Sequence, residues 1–371
     1  MKNIVIIIAI MAIVAACRPE RRHLLEPAER VMSDEAIDLR RQITDIAFRG
    51  YMIGHHDDPM YGIGWNLDEN RSDIKSVCGD YPALMSFDLG HIELGRTHNL
   101  DSVPFDRIRS EIIAQYKRGG VSTLSWHVDN PVTGGNAWDT SDSSVVAAIL
   151  PEGNANELFI SWIDSVAKFV NSIVTDEGVK VPLIFRPWHE HTGSWFWWGE
   201  KLCTAEQYIN LQRMTFNRLQ EDSATQLLFG YSTGIEPRCV DDYLCRYPGD
   251  DMIDIIGFDA YQFSPDNEYY IQILENCLAT VDSVGAQHSK PYAVCEMGYE
   301  TIPDPEWWTH VVINALANYH PSYILLWRNA REKKNHYYAP YPGHPSADDF
   351  VCFYDDDRTL FVSDMTVNEN E

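Results

Sequence analysis

Eight short apolar runs separated by longer helical patterns constrain the fold of this chain more than any other feature. They are YMIGH (51–55), ALMSFD (83–88), VSTLSWH (121–127), VPLIFR (181–186), QLLFGYS (226–232), MIDIIGFDA (252–260), PYAVCE (291–296) and YILLWR (323–328). They are rich in β-branched and aromatic residues and apolar on both faces, as the strands of a covered parallel sheet must be. Between them, Leu158, Trp162, Val166, Phe169 and Ile173 recur at three- and four-residue steps, which predicts a helix with one apolar stripe over 156–175. Phe105, Ile108, Ile112 and Tyr116 predict another helix, stopped by Gly119-Gly120. Thr204-Ala-Glu-Gln207 reads as a capping box opening a helix that carries Leu211, Met214 and Leu219. Eight strand–helix units predict an α/β chain folded as a single (β/α)8 TIM barrel. The rival is an open doubly wound sheet, but no G-x-G-x-x-G follows the first run.

The first residues, MKNIVIIIAIMAIVAAC, hold an apolar run from Ile4 to Ala16. It is short of the ~20 residues that span a bilayer and reads as a secretory signal. VAAC at 14–17 resembles a bacterial lipobox, with a plain signal peptide cut nearby as the alternative. The expected division is residues 1–16 as signal peptide, 17–32 as a polar tether from a lipidated Cys17, and 33–371 as one catalytic domain. Arg-Pro-Glu-Arg-Arg after Cys17 lacks an acidic run, which favours the periplasmic side of the outer membrane over the cell surface. With 29 Lys and Arg against 55 Asp and Glu, the net charge is −26. Such a chain repels phosphate backbones and anionic membranes. The expected partner is therefore a neutral ligand and not nucleic acid, with membrane contact only through the lipid on Cys17 and the chain itself monomeric. No C-x-x-C is present, so a zinc framework is not expected. Cys239 and Cys245 form the one close pair, open between a loop disulfide and free thiols.

A barrel of this kind carries its chemistry where the strands end. Those ends hold His55 and His56, Asp88, Trp126-His127, Glu190, Asp259 and Tyr261, Glu296, and Trp327-Arg328. Glu190 and Glu296 follow the fourth and seventh runs and face each other across the expected barrel mouth. Glycoside cleavage requires such a pair, one carboxyl protonated for the leaving oxygen and one ionised toward the anomeric carbon. Glu190 lies in RPWHEHTGSWFWWG (186–199), among four tryptophans that disfavour its charged form. The CH faces of a sugar lie well on indole, so the tryptophans read as a bed for a neutral glycan, with one of Trp197 and Trp198 packing inward. The plainer alternative is that Arg186 merely neutralises a nearby glutamate. His55-His56-Asp57-Asp58 is not read as a metal site, because adjacent strand residues point to opposite faces. His189 and His191 lack a third ligand at suitable spacing, so neither metal nor cofactor is expected. In the long 329–355 segment, Tyr337, Tyr338 and Tyr341 either wall distal subsites or cover the barrel.

FRPWHEHTGSWFWWG resembles the signature of glycoside hydrolase family 26, mainly β-mannanases. IGFDAYQ (256–262), AVCEMG (293–298), GHHDDPMYGIGW (54–65), SDIKSVCGDYPALMSFD (72–88) and SWHVDNP (125–131) are similar to further segments of that family, and the likeness runs from residue 35 to 355. The resemblance implies Glu190 as general acid/base and Glu296 as nucleophile. It also implies His189 hydrogen-bonding near the scissile sugar, Arg186 orienting the nucleophile's surroundings, and Tyr261 donating to it with Asp259 alongside. Trp195 would stack in the acceptor subsite, Trp327 would floor the −1 sugar, Arg328 would reach toward −2, and His127 would contact the −1 sugar. The implied activity is retaining, double-displacement cleavage of β-1,4-mannosidic bonds in mannan, galactomannan, glucomannan or manno-oligosaccharides, with endo and exo action both open. The alternatives are the same mechanism on β-1,3-xylan or mixed-linkage β-glucan, and a glycan-binding lipoprotein without catalysis.

Overall fold

The computed structural model describes residues 24–234 and 239–365. Cys17, the expected signal peptide and the start of the tether lie outside the described residues. Eight strands form the barrel: β1 (Tyr51–His56), β2 (Leu84–Asp88), β3 (Val121–Ser125), β4 (Leu183–Arg186), β5 (Leu227–Thr233), β6 (Ile255–Gln262), β7 (Tyr292–Tyr299) and β8 (Tyr323–Leu326). Each pairs in parallel with the next, and β8 pairs with β1 to close the cylinder. The short strand Thr359–Leu360 adds to β1 from outside the ring. All eight apolar runs became strands, and the expected TIM barrel is what they build.

One end of the barrel is sealed. The helix α1 (Asp34–Asp45) is capped by the Ser33 side chain, and buries Ala36, Leu39 and Ile43. These join Met52, Leu84, Ile184, Leu228 and Leu325 in the apolar cluster filling the lower barrel. The other end, where the strands terminate, is thereby left open to form a site.

The helix α2 (Phe105–Lys117) buries Phe105, Ile108 and Ile112 as expected, with Arg118 as its C-cap. The helix α3 (Asn156–Asn171) buries Phe159, Trp162, Ile163, Val166 and Val170. Of the expected stripe, Trp162, Val166 and Phe169 are buried within the helix and Ile173 beyond its end, but Leu158 is 45% exposed and Phe159 is buried in its place. At three- and four-residue steps either Leu158 or Phe159 leads to Trp162, and the larger ring is the one drawn inside. In the helix α4 (Ala205–Glu221) the capping box forms both ways, Gln207 N–H to Thr204 Oγ1 at 3.1 Å and Thr204 N–H to Gln207 Oε1 at 2.9 Å.

Residues 25–31, expected as tether, are laid along α4. Leu25 N–H donates to Asn210 Oδ1 (2.8 Å), Ala28 N–H to Asn217 Oδ1 (2.7 Å) and Val31 N–H to Gln220 Oε1 (2.8 Å). Amide side chains three to seven residues apart on one helix face thus satisfy a strap that makes no sheet of its own. Cys239 and Cys245 are free thiols and form no loop disulfide with each other.

Candidate active site

The site begins where β4 ends. After Arg186, the backbone turns left-handed at Trp188 (φ 58°) and again at Glu190 (φ 51°). Such conformations cost of order 1–3 kcal/mol each in non-glycine residues and persist only when surroundings hold them. Here the indoles hold them. Trp188 Nε1 donates to Thr215 (3.2 Å), Trp197 Nε1 to the Val128 carbonyl (3.1 Å) and Trp198 Nε1 to the His189 carbonyl (2.9 Å). All three rings are fully buried, so Trp197 and Trp198 are both core where only one was expected. The tryptophans are mainly a pedestal beneath the turn, their N–H groups satisfied as buried indoles require. Trp195 alone is half-exposed, at 39%. Its ring rests on Gly193, where a Cβ would fall 2.3 Å from it, and its Nε1 donates to Glu190 Oε2 at 2.6 Å.

Glu190 and Glu296 line the same cavity of ≈ 440 Å³. Burial, reinforced by the charge of Glu296 and opposed by the Trp195 hydrogen bond, pushes the Glu190 carboxyl up to about 7. Glu296 stands in a different setting. The Arg186 guanidinium contacts its Oε1, and Tyr261 OH donates to its Oε2 at 2.7 Å. Both oxygens therefore accept from strong donors, as an ionised carboxylate does. Burial and the Glu296 charge push the Tyr261 phenol well up, which keeps it a donor. Arg186 also donates to Asp259 Oδ2 (2.9 Å) and Ser232 Oγ (2.8 Å). A register shift between Phe258 and Asp259 in the β6–β7 ladder sets Asp259 directly beside Glu296. Such irregularities re-aim side chains next to active sites. Beyond it, β6 and β7 stay paired through Gln262 and Tyr299, past the expected run ends, and this carries Tyr261 to the Glu296 carboxylate.

His127 and His189 line the same cavity. Asp88 Oδ2 meets His127 Nδ1 at 2.7 Å and also accepts from Ser125 Oγ at 2.6 Å. Burial opposes charge on His127, but Asp88 outweighs it and raises the imidazole above its ordinary range. Burial likewise opposes charge on Asp88, and His127 with the surrounding donors hold it below the carboxylate range. His189, by burial and the nearby Arg186, is held well below the histidine range. The two Nε2 atoms lie 3.2 Å apart, within hydrogen-bond reach of each other.

Trp327 lines the cavity and stacks on His56, with ring centroids 4.3 Å apart. Arg328 does not line it. Its buried guanidinium pairs with Asp101 (2.9 Å) and Glu332 (2.8 Å), and donates to Tyr61 OH at 3.2 Å. Of the expected residues, Glu190, Glu296, His189, Trp195, Asp259, Tyr261, Trp327 and His127 thus share one cavity, with Arg186 and Arg328 buried behind it.

Among the described residues, two groupings bring possible ligand atoms within 4.8 Å of one another: His189 with Asp259 and Glu296, and His56 with Asp57 and Asp101. In the first, Arg186 already lies against both carboxylates. The second corrects the expectation that His56 and Asp57 point apart. The chain leaves β1 at His56 and turns left-handed at Asp57 (φ 54°), bringing the side chains to 3.8 Å. There the paired cation is Arg328, on Asp101. His191 is no ligand, packed between Tyr208 and Tyr231.

Trp138, Phe196, Gly234 and Phe263 also line the cavity and escaped the sequence reading. Trp138 stacks on His127 at 5.1 Å from a loop without periodicity. The open question over the 329–355 tyrosines divides. Tyr338 lines the cavity, its ring 5.6 Å from Tyr261, and needs Gly298, where a Cβ would lie 2.4 Å from it. Tyr337 and Tyr341 instead pack on each other and on His344.

Comparison with known proteins accords with this geometry. The model of glycosyl hydrolase family 26 matches residues 39–339. A solved GH26 β-mannanase from Bacteroides ovatus is 51% identical, with a TM-score of 0.89 over 91% of this chain and 99% of that one. A mannan endo-1,4-β-mannosidase of Bifidobacterium adolescentis is 28% identical over 84% of this chain, and one of Bacillus subtilis is 25% identical over 86% of each. This chain spans only 34% of the Bifidobacterium protein. With the barrel and the strand-end carboxylates in place, the chain belongs to glycosyl hydrolase family 26.

Proposed function

We propose that the protein is a retaining glycoside hydrolase that cleaves β-1,4-mannosidic bonds in mannan, galactomannan, glucomannan or manno-oligosaccharides. One observation carries this reading: two carboxyls share a cavity in opposite settings, Glu190 buried and lifted to about 7 and Glu296 held by Arg186 and Tyr261. In the first step Glu296 attacks the anomeric carbon, and the bond to the leaving oxygen breaks as that oxygen takes the Glu190 proton. In the second, Glu190 takes a proton from water, whose oxygen attacks the same carbon and releases Glu296. Trp327 floors the reacting sugar, His127 and His189 hydrogen-bond to it, and Trp195 stacks on the acceptor side. The names of the relatives support mannan as substrate. Initial rates on mannan, lichenan and β-1,3-xylan test it: mannan should rank first, and mannan ranking last overturns the reading in favour of another β-glycan. Mannan turnover at the same trace level in the unmodified protein, Glu190→Ala and Glu296→Ala would instead make the protein a glycan-binding module.

Release of short products is favoured by a bridge at the donor end. Arg328 and the Asp101 carboxylate join the segments after β8 and β2, and Arg331 bonds Asn66 (2.5 Å) and the Asp101 carbonyl (3.3 Å). Mannobiose dominating the earliest products from mannohexaose and galactomannan supports exo action; a spread of lengths makes it endo. VAAC at 14–17 supports a lipid on Cys17 after removal of residues 1–16, anchoring the protein to the outer membrane on its periplasmic side. Cys17→Ala should move the protein to the soluble fraction, and its persistence in membranes contradicts the anchor.

A further inference from the structure

Phe263 is the most conspicuous side chain at the cavity that neither the expected roles nor the mechanism employs. It lies two residues beyond Tyr261, lines the same cavity as both glutamates, and is 87% exposed. An exposed phenyl ring is unremarkable on an open surface, but the segment that carries this one is held in place. The preceding Gln262 is buried, and its amide reaches round Phe263 to donate to the Ser264 carbonyl (2.8 Å) and Asn267 Oδ1 (2.8 Å). Its carbonyl oxygen accepts from Trp307 Nε1 at 2.6 Å, and Asn267 is itself tied to Asp304 at 2.6 Å. The backbone on either side of Phe263 is thus clamped to the barrel while the ring projects outward. Its position around the barrel mouth is equally specific. In barrel order Glu296 on β7 separates Trp327, the expected floor of the reacting sugar after β8, from Phe263 after β6, and Gly234 after β5 and Trp195 after β4 follow in turn. Gly234 places no side chain between Trp195 and Phe263, so an indole and a phenyl together bound this side of the cavity.

We infer that Phe263 is a substrate-binding platform on the acceptor side, stacking on the CH face of a mannopyranose beyond the sugar that Trp195 contacts. The inference rests on the mannan reading above and adds that the acceptor side grips at least two sugars. A ring so exposed contributes little to folding, so Phe263→Ala should unfold at the same temperature as the unmodified protein. The test compares mannohexaose with 4-nitrophenyl β-mannobioside, whose leaving group ends at the first acceptor position. For Phe263→Ala, kcat/KM on mannohexaose should fall about ten-fold. Its kcat/KM on the aryl mannobioside should stay within two-fold, and Phe263→Trp should restore the mannohexaose value. Unchanged mannohexaose kinetics overturn the inference. Equal losses on both substrates overturn it too, since they would mean that the ring acts through Tyr261. Failure of the unmodified protein to cleave mannohexaose would overturn the mannan reading as well, which separates the two failures.

Discussion

At the scale of single residues, the account depends on two carboxyls of one type being given different protonation states by their neighbours. Burial and the Glu296 charge raise Glu190, whereas the Trp195 hydrogen bond favours its ionised form. Its acid form therefore persists to about pH 7, and kcat/KM on mannan should be sustained below that value and fall above it. Trp195→Phe removes the hydrogen bond that stabilises the carboxylate, so this alkaline limb should move to higher pH. A limb that stays in place, or moves down, would show that Glu190 does not set it. Glu190→Ala should lose roughly 10²–10⁴-fold on polysaccharide, yet much less on dinitrophenyl glycosides, whose leaving groups need little protonation. Glu296→Ala should abolish both activities. Equal losses by the two variants on both substrates would contradict the roles. The strand-end rule made these residues legible from the sequence. Asp88 was legible only as a polar strand end, because its grip on His127 crosses between β2 and β3 and leaves no trace in local spacing.

At the scale of elements, the turn after β4 is where sequence and structure part most instructively. The tryptophan density marked the segment correctly, but composition does not say which way a ring points. Only the left-handed backbone at Trp188 and Glu190 decides that three indoles go under the turn and one faces out. A stability experiment separates the two classes. Trp188→Ala should cost about 3–5 kcal/mol and lower the melting temperature. Trp195→Ala should leave melting almost unchanged while raising KM for manno-oligosaccharides. Similar melting points for the two variants would contradict the division into pedestal and platform. The β6–β7 register shift was equally invisible beforehand, since one displaced residue in a ladder carries no compositional signal.

At the scale of the whole molecule, the barrel was legible because each strand is apolar on both faces and each run is short, a pattern that closure of a covered parallel sheet demands. The N-terminal strap was not. Its polar composition reads as free tether, and its partners Asn210, Asn217 and Gln220 lie on a helix nearly two hundred residues away. Asn217→Ala removes the acceptor for Ala28 N–H and the donor to the Glu26 carbonyl. It should cost about 1–2 kcal/mol and speed proteolysis before Asp34, with kcat/KM unchanged. Unaltered protease resistance would mean that the strap is held elsewhere. The account as a whole turns on one sugar carbon being met by Glu296 while Glu190 protonates what leaves it. The most direct test is to trap the enzyme with a 2-deoxy-2-fluoro-mannosyl fluoride and map the adduct by peptide mass spectrometry. The adduct should sit on Glu296; an adduct on any other side chain, or turnover that never accumulates one, would contradict it.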